Sequence, residues 1–198
     1  LSIRRQRQMC IRDSNDSEAN GITKSEMAEI LTHIAFYARW PNAWAAFTLA
    51  KEVYNEAAAD ESGHGGFFGM GSPNDGFAQY FSGRSWLNPV SGVDAYLPIF
   101  NVTFEPGCRN HWHTHRASRG GGQVLICVDG EGWYQEEGKP AQRLHPGSIV
   151  EAPANTPHWH GAAADSWFSH LAFEYPGDDT STEWLGPVDD ASYCALEG

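Results

Sequence analysis

The sequence has no apolar run of about 18 residues, the length a helix needs to cross a bilayer, so no membrane-spanning helix is expected. No apolar signal-peptide core follows its basic start. A cytoplasmic location is therefore the default expectation. Positive charge is scarce: 13 Lys and Arg stand against 25 Asp and Glu, a formal net charge of −12. That balance argues against a broad basic face for nucleic acid. Cysteine is sparse as well. Cys10, Cys108, Cys127 and Cys194 form no C-x-x-C, which leaves no disulfide framework and no zinc ribbon. Cys127, inside "QVLICV", reads as a small buried hydrophobe. There is no internal repeat and no low-complexity segment.

What is present suits one substantial domain, or one domain and a fragment: 198 residues, 41% hydrophobic, with eight Trp to pack a core or line a pocket. Residues 1–14, "LSIRRQRQMCIRDS", fit nothing downstream and read as a non-native or disordered tail, in which case the native N-terminus lies elsewhere. Over 21–58, a capping box at Thr23 and Glu26 precedes Met27, Ile30, Leu31 and Ile34 at helical spacing. Pro41 breaks that pattern and opens a second helix carrying Phe47, Leu49, Ala50 and Val53. This helical hairpin is small for a core of its own. Residues 59–78 are glycine-rich and read as a linker or ordered loop, with His64 solvated. Short strands with turn signals follow over 79–177, the texture of an all-β sandwich or barrel. "DGEG" at 129–132 and "HPGS" at 145–148 read as hairpin turns. Residues 178–198 form a C-terminal extension.

Histidine is concentrated where the strands are: seven of nine fall between residues 111 and 170. In a strand alternate side chains share a face, so His111, His113 and His115 point one way and Trp112 and Thr114 the other. His158 and His160 repeat the spacing in "PHWHGA", and His170, Ala172 and Glu174 alternate in "SHLAFEY". A lone core histidine is usually just hydrogen-bonded. Several imidazoles facing one interior each cost a few kcal/mol if left unsatisfied. A divalent metal satisfies them directly, since neutral imidazole is a good borderline ligand.

Two longer patterns carry a resemblance. "GCRNHWHTHRASRGGGQVLICVDG" resembles the first cupin motif, with Gly107, His113, His115, Gln123 and Gly130 in order, and "GSIVEAPANTPHWHG" resembles the second, with Gly147, Pro153 and His158. The resemblance covers residues 79–177. It implies a mainly β fold, a cupin jelly-roll barrel behind an N-terminal α-helical hairpin, and a divalent metal held by His113, His115, Gln123 and His158. The chain departs from the pattern in three places. Gln123 replaces the usual glutamate, Asn155 stands at a glycine position, and four extra residues separate His115 from Gln123. Three histidines and an amide make a neutral ligand set, which leaves the full charge on the ion. Manganese is favoured by the resemblance; iron, nickel and zinc accept the same donors.

Among cupins the chain looks most like small members described as carboxymuconolactone decarboxylase-like, a group that includes manganese-dependent hydroxynitrile lyases. The resemblance implies that His160 and His170 line the pocket and act as acid and base, with Glu174 a polar pocket residue and His111 a pocket or supporting residue. Residues 21–56 resemble the C-terminal helical hairpin of the carboxymuconolactone decarboxylase family; the redox C-x-x-C of its peroxidase branch is absent. The expected function is a metal-dependent lyase or decarboxylase acting on a small oxygenated acid, lactone or α-hydroxy compound, as a homodimer. The alternatives are an iron-dependent dioxygenase and a non-enzymatic small-molecule-binding module. Trp133, Tyr134, Trp159, Trp167 and Phe168 read as core or dimer aromatics, His145 as a turn residue, and Arg109, Arg116 and Arg119 as solvated or anion-steering side chains.

Overall fold

The computed structural model describes residues 63–92 and 95–196; the basic tail and the helical hairpin expected from the sequence lie outside the described residues. The described chain is mainly β. Its strands are β1 (Ser72–Pro73), β2 (Phe81–Ser82), β3 (Ser85–Pro89), β4 (Phe100–Phe104), β5 (Arg109–Asn110), β6 (His113–Arg116), β7 (Arg119–Gly120) and β8 (Gly122–Gly130). They continue as β9 (Gly132–Glu136), β10 (Gln142–Leu144), β11 (Ile149–Pro153), β12 (His158–Ala162), β13 (Phe168–Glu174), β14 (Gly177–Asp178) and β15 (Ser181–Trp184), before a short helix α1 (Asp190–Cys194).

Two antiparallel sheets face each other as a jelly roll. One runs β1-β3-β4-β13-β8-β11, and the other runs β10-β9-β12-β5-β2 with β6 joined to β12 and β15 to β6. The alternation of side chains explains the near-continuous apolar run of β8. Leu125 and Cys127 point between the sheets, with Phe104, Leu144 and Phe168. Val124 and Ile126 point outward, under Phe67, Ile99 and Phe173. Both faces of the strand are buried, so no polar position survives in its middle. Burial also pushes the Cys127 thiol up to about 12, in keeping with an inert core residue.

The two turns read as hairpins do something else. Residues 129–132 carry the chain from β8 in one sheet to β9 in the other, and residues 145–148 carry it back from β10 to β11. Turn chemistry is local and does not say which sheet the next strand joins. Gly130 is needed at the first crossing: its φ is +66°, and a Cβ there would overlap the Trp167 carbonyl.

The barrel's packing also extends past 79–177 at both ends. In the stretch read as linker, Asn101 donates to the carbonyls of Gly65 and Gly69, Phe67 enters the core, and β1 pairs with β3. His64 is not simply solvated; its ring stacks on Trp167 at 4.1 Å. In the C-terminal stretch, Val188 and Tyr193 cover Trp133 and Trp159 on the outer face of the second sheet.

Candidate metal centre

β6 and β12 lie side by side, with His113 opposite His158. Alternation sends His113 and His115 from β6, and His158 and His160 from β12, to the interior. β13 adds His170 from the facing sheet. A register shift between Ser169 and His170 accommodates one extra residue of β8, a β-bulge of the kind that re-aims side chains near sites. All five imidazoles are buried.

The nitrogens sort them into two sets. His113 Nδ1 donates to the His111 carbonyl at 3.0 Å, and His158 Nδ1 donates to the Thr156 carbonyl at 3.0 Å. His115 Nδ1 lies 2.9 Å from Oε1 of Glu174, with Thr182 Oγ1 at 3.5 Å. Carbonyl and carboxylate oxygens only accept, so each Nδ1 carries the proton and each Nε2 is left as a lone pair. Ligand atoms of the three residues lie within 4.8 Å of one another. Gln123 Oε1 stands 3.4 Å from His158 Nε2. The Nε2 of His115 is buried with no hydrogen-bond partner. An orphaned buried acceptor costs roughly 1–3 kcal/mol, and a cation at the meeting point of these atoms removes that cost. The donor set therefore fits a divalent metal.

The second set is different. His170 Nε2 and His160 Nδ1 are 2.9 Å apart, and Asn110 Nδ2 is 2.9 Å from His160 Nε2. Asn110 Oδ1 accepts the His160 backbone N–H at 2.9 Å. No nitrogen of His160 is free, and Nδ1 of His170 is buried without a partner. Burial holds every ring of the two sets for which a shift is resolved below the ordinary imidazole range. His113 and His160 lie well below it, with His158 and His170 respectively adding like-charge repulsion. His158 and His170 are pushed down to about 4. At neutral pH these rings are uncharged.

His113, His115, Gln123, Glu174, His160 and His170 line a cavity of about 270 Å³. Its remaining walls are mostly apolar, with Phe81, Phe100, Val102, Phe104 and Trp184. His111 does not line it. The chain breaks between β5 and β6 at residues 111–112, and the His111 backbone serves instead: its N–H donates to Tyr80 and its carbonyl orients His113. The three arginines are all engaged elsewhere. Arg109 is buried over the Tyr193 ring and pairs with Asp190, Arg116 pairs with Glu183, and Arg119 pairs with Asp178.

The three departures from the motif also find places. The extra residues after His115 make an excursion in which β7 pairs with β14. Gly120, Gly121 and Gly122 all have positive φ and bring the chain back so that Gln123 enters β8 facing the cavity. Asn155 has φ +63°, a region asparagine tolerates, and its amide ties both backbone groups of Ala117 at the base of the excursion. Gln123 brings the amide oxygen already described.

Two residues were not evident in the sequence. Asn110 sits on the other side of the strand break from the histidines, where alternation does not reach. Trp184 lies in the C-terminal stretch; β15 pairs with β6, setting Trp184 opposite His113 with ring centroids 4.9 Å apart and stacking it on Tyr80 at 4.4 Å.

Comparison with known proteins agrees with this architecture. Residues 100–169 match the cupin domain family. Over 127 residues the chain is 36% identical to the (R)-mandelonitrile lyase of Granulicella tundricola, covering 63% of this chain and 94% of that relative. The chain belongs to the cupin family. A solved cupin-like protein from Thermotoga maritima is also 36% identical to this cupin, with a TM-score of 0.56 over 65% of this chain and 94% of that one. Residues 7–52 match the carboxymuconolactone decarboxylase family, a match that begins inside the stretch set aside as a tail and lies outside the described residues. Among the described residues no helix is long and apolar enough to cross a membrane.

Proposed function

We propose that this cupin is a metal-dependent lyase acting on a neutral, largely apolar α-hydroxy compound, with a cyanohydrin such as mandelonitrile as the first candidate. The observation that carries the reading is the convergence of three imidazole lone pairs beside a buried pair of neutral histidines, in a cavity with apolar walls. Among the classes expected from the sequence, the walls favour a hydroxy compound over an organic acid. Among the described residues no Lys or Arg lines the cavity, and the one charged lining residue there is an acid, Glu174.

His113, His115 and His158 through Nε2, with Gln123 through its amide oxygen, would hold the ion; manganese is the first expectation. A bound ion supplies a Lewis acid for the substrate oxygen and stabilises negative charge there. The rest falls to the protein. Phe104 and Trp184 pack the apolar part of the substrate and exclude water. The His160–His170 pair, neutral at pH 7, accepts the hydroxyl proton. In cyanohydrin cleavage the bond to the nitrile carbon breaks, its electron pair leaves with cyanide, and the hydroxyl oxygen becomes a carbonyl. The proton then passes from the pair to the cyanide.

The test loads purified protein with manganese, iron, nickel or zinc, counts bound metal by elemental analysis, and follows benzaldehyde release from mandelonitrile. The expected result is about one equivalent of metal and cleavage, both lost in the His113→Ala, His115→Ala double variant. Full metal loading with no cleavage of aromatic or aliphatic cyanohydrins would sink the lyase reading. Substrate-dependent oxygen uptake by the iron form would replace it with a dioxygenase, and ligand binding with no metal uptake would replace it with a binding module.

A further inference from the structure

We propose that Asn110 is a positioning residue that sets the direction of the hydrogen-bond chain through His160 and His170, leaving Nε2 of His170 as the bare, basic nitrogen. The direction follows from what each atom can do. The His160 backbone N–H can only donate, so the atom of Asn110 that faces it at 2.9 Å is the amide oxygen. The amide nitrogen then faces His160 Nε2 at 2.9 Å and can only donate, so Nε2 accepts and carries no proton. Neutral His160 therefore carries its proton on Nδ1 and donates it to His170 Nε2 at 2.9 Å. His170 in turn keeps its proton on Nδ1, the nitrogen that is buried and has no partner. One amide, held by the backbone, thus fixes two tautomers.

The catalytic consequence rests on the lyase reading. A substrate hydroxyl that displaces His160 Nδ1–H meets a lone pair on His170 Nε2. With the chain reversed, that nitrogen would hold a hydrogen and could accept nothing. Asn110→Asp is the reversal: a carboxylate still accepts from the His160 backbone, but it has no N–H to offer Nε2 and instead draws a proton onto it.

The experiment is nitrogen-15 NMR of histidine-labelled protein, with and without zinc, reading which ring nitrogen bears hydrogen. The signals are assigned with His160→Gln and His170→Gln. Wild type is expected to show Nδ1–H at both His160 and His170, the tautomer less favoured in water. In Asn110→Asp, Nε2 of His160 is expected to gain a proton, and cyanohydrin cleavage is expected to lose about tenfold or more in kcat with KM little changed. Nε2–H on either histidine of wild type, or an unprotonated His160 Nε2 in Asn110→Asp, would overturn the proposal. The wild-type spectrum decides even if the variant does not fold. The spectra need no substrate, so an intact chain in a protein that cleaves no cyanohydrin would count against the lyase reading alone.

Discussion

His158 and His160 sit two residues apart on one strand, point the same way and are both buried, yet their ring nitrogens are engaged differently. His158 gives its Nδ1 proton to a backbone carbonyl and keeps Nε2 free toward two other imidazoles and an amide. His160 has both nitrogens taken, one by an asparagine amide and one by His170. The difference teaches that the side chain alone does not decide whether a buried imidazole keeps a bare nitrogen or spends both in hydrogen bonds. The partner on the far nitrogen does. An oxygen partner on Nδ1 leaves Nε2 as a lone pair, the form a cation would need, and a nitrogen partner makes the ring a link in a chain.

The comparison is broken most severely by removing a ring from the first set. His158→Ala is expected to lose the bound metal and to cost about a thousandfold or more in cleavage rate; elemental analysis and turnover read both. Removing a ring from the second set tests whether the sets are separable. His170→Gln is expected to keep about one equivalent of metal while losing roughly 10²–10⁴ in kcat. Metal loss in that variant would merge the two sets into one.

Glu174 sharpens the boundary, because it reaches the first set from outside, through His115 Nδ1. Glu174→Ala is expected to weaken metal affinity by about 10–100-fold in a chelator competition, and Glu174→Gln, which can still accept from Nδ1, by less. Acid reads both sets together. In the unfolded chain a histidine is protonated below about 6.5, whereas burial holds His158 and His170 near 4 in the folded protein. Between these values the unfolded state binds more protons, so stability rises with pH there and falls as acid is added. The metal-free protein should melt progressively lower from pH 6.5 down to 4, and His170→Gln should flatten that slope. The smallest effect belongs to Asn155→Ala, which loses two hydrogen bonds and puts a β-carbon with no amide at positive φ. A loss of about 1–2 kcal/mol in denaturant unfolding is expected.

The period-two spacing of histidines made the interior face of β6, β12 and β13 legible before any coordinates. Spacing brought out His113, His115, His158, His160 and His170 as interior histidines; Gln123 and the division into ligands and an acid–base pair came from the resemblance to the cupin motifs. What spacing does not encode is hydrogen-bond partnership. It placed His111 on the same face as His113, but the strand breaks there and only the His111 carbonyl reaches the site. It gave no signal for Asn110, which acts across a sheet rather than along a strand. The glycine-rich stretch before residue 79 read as a connector because glycine weakens any local preference. Its partners, the amide of Asn101 and the outer face of β8, lie far along the chain.

The pairing of β15 with β6 carries a consequence for the order of assembly. Among the described residues, the partner of the histidine strand on the side away from β12 is residues 181–184, which must fold back beside it. Until they have left the ribosome, His113 lacks the Trp184 ring beside it, and the backbone edge of β6 is bare. A nascent chain halted before residue 181 would carry His113 and His115 on an open edge, exposed to any metal in its surroundings and to the strands of its neighbours.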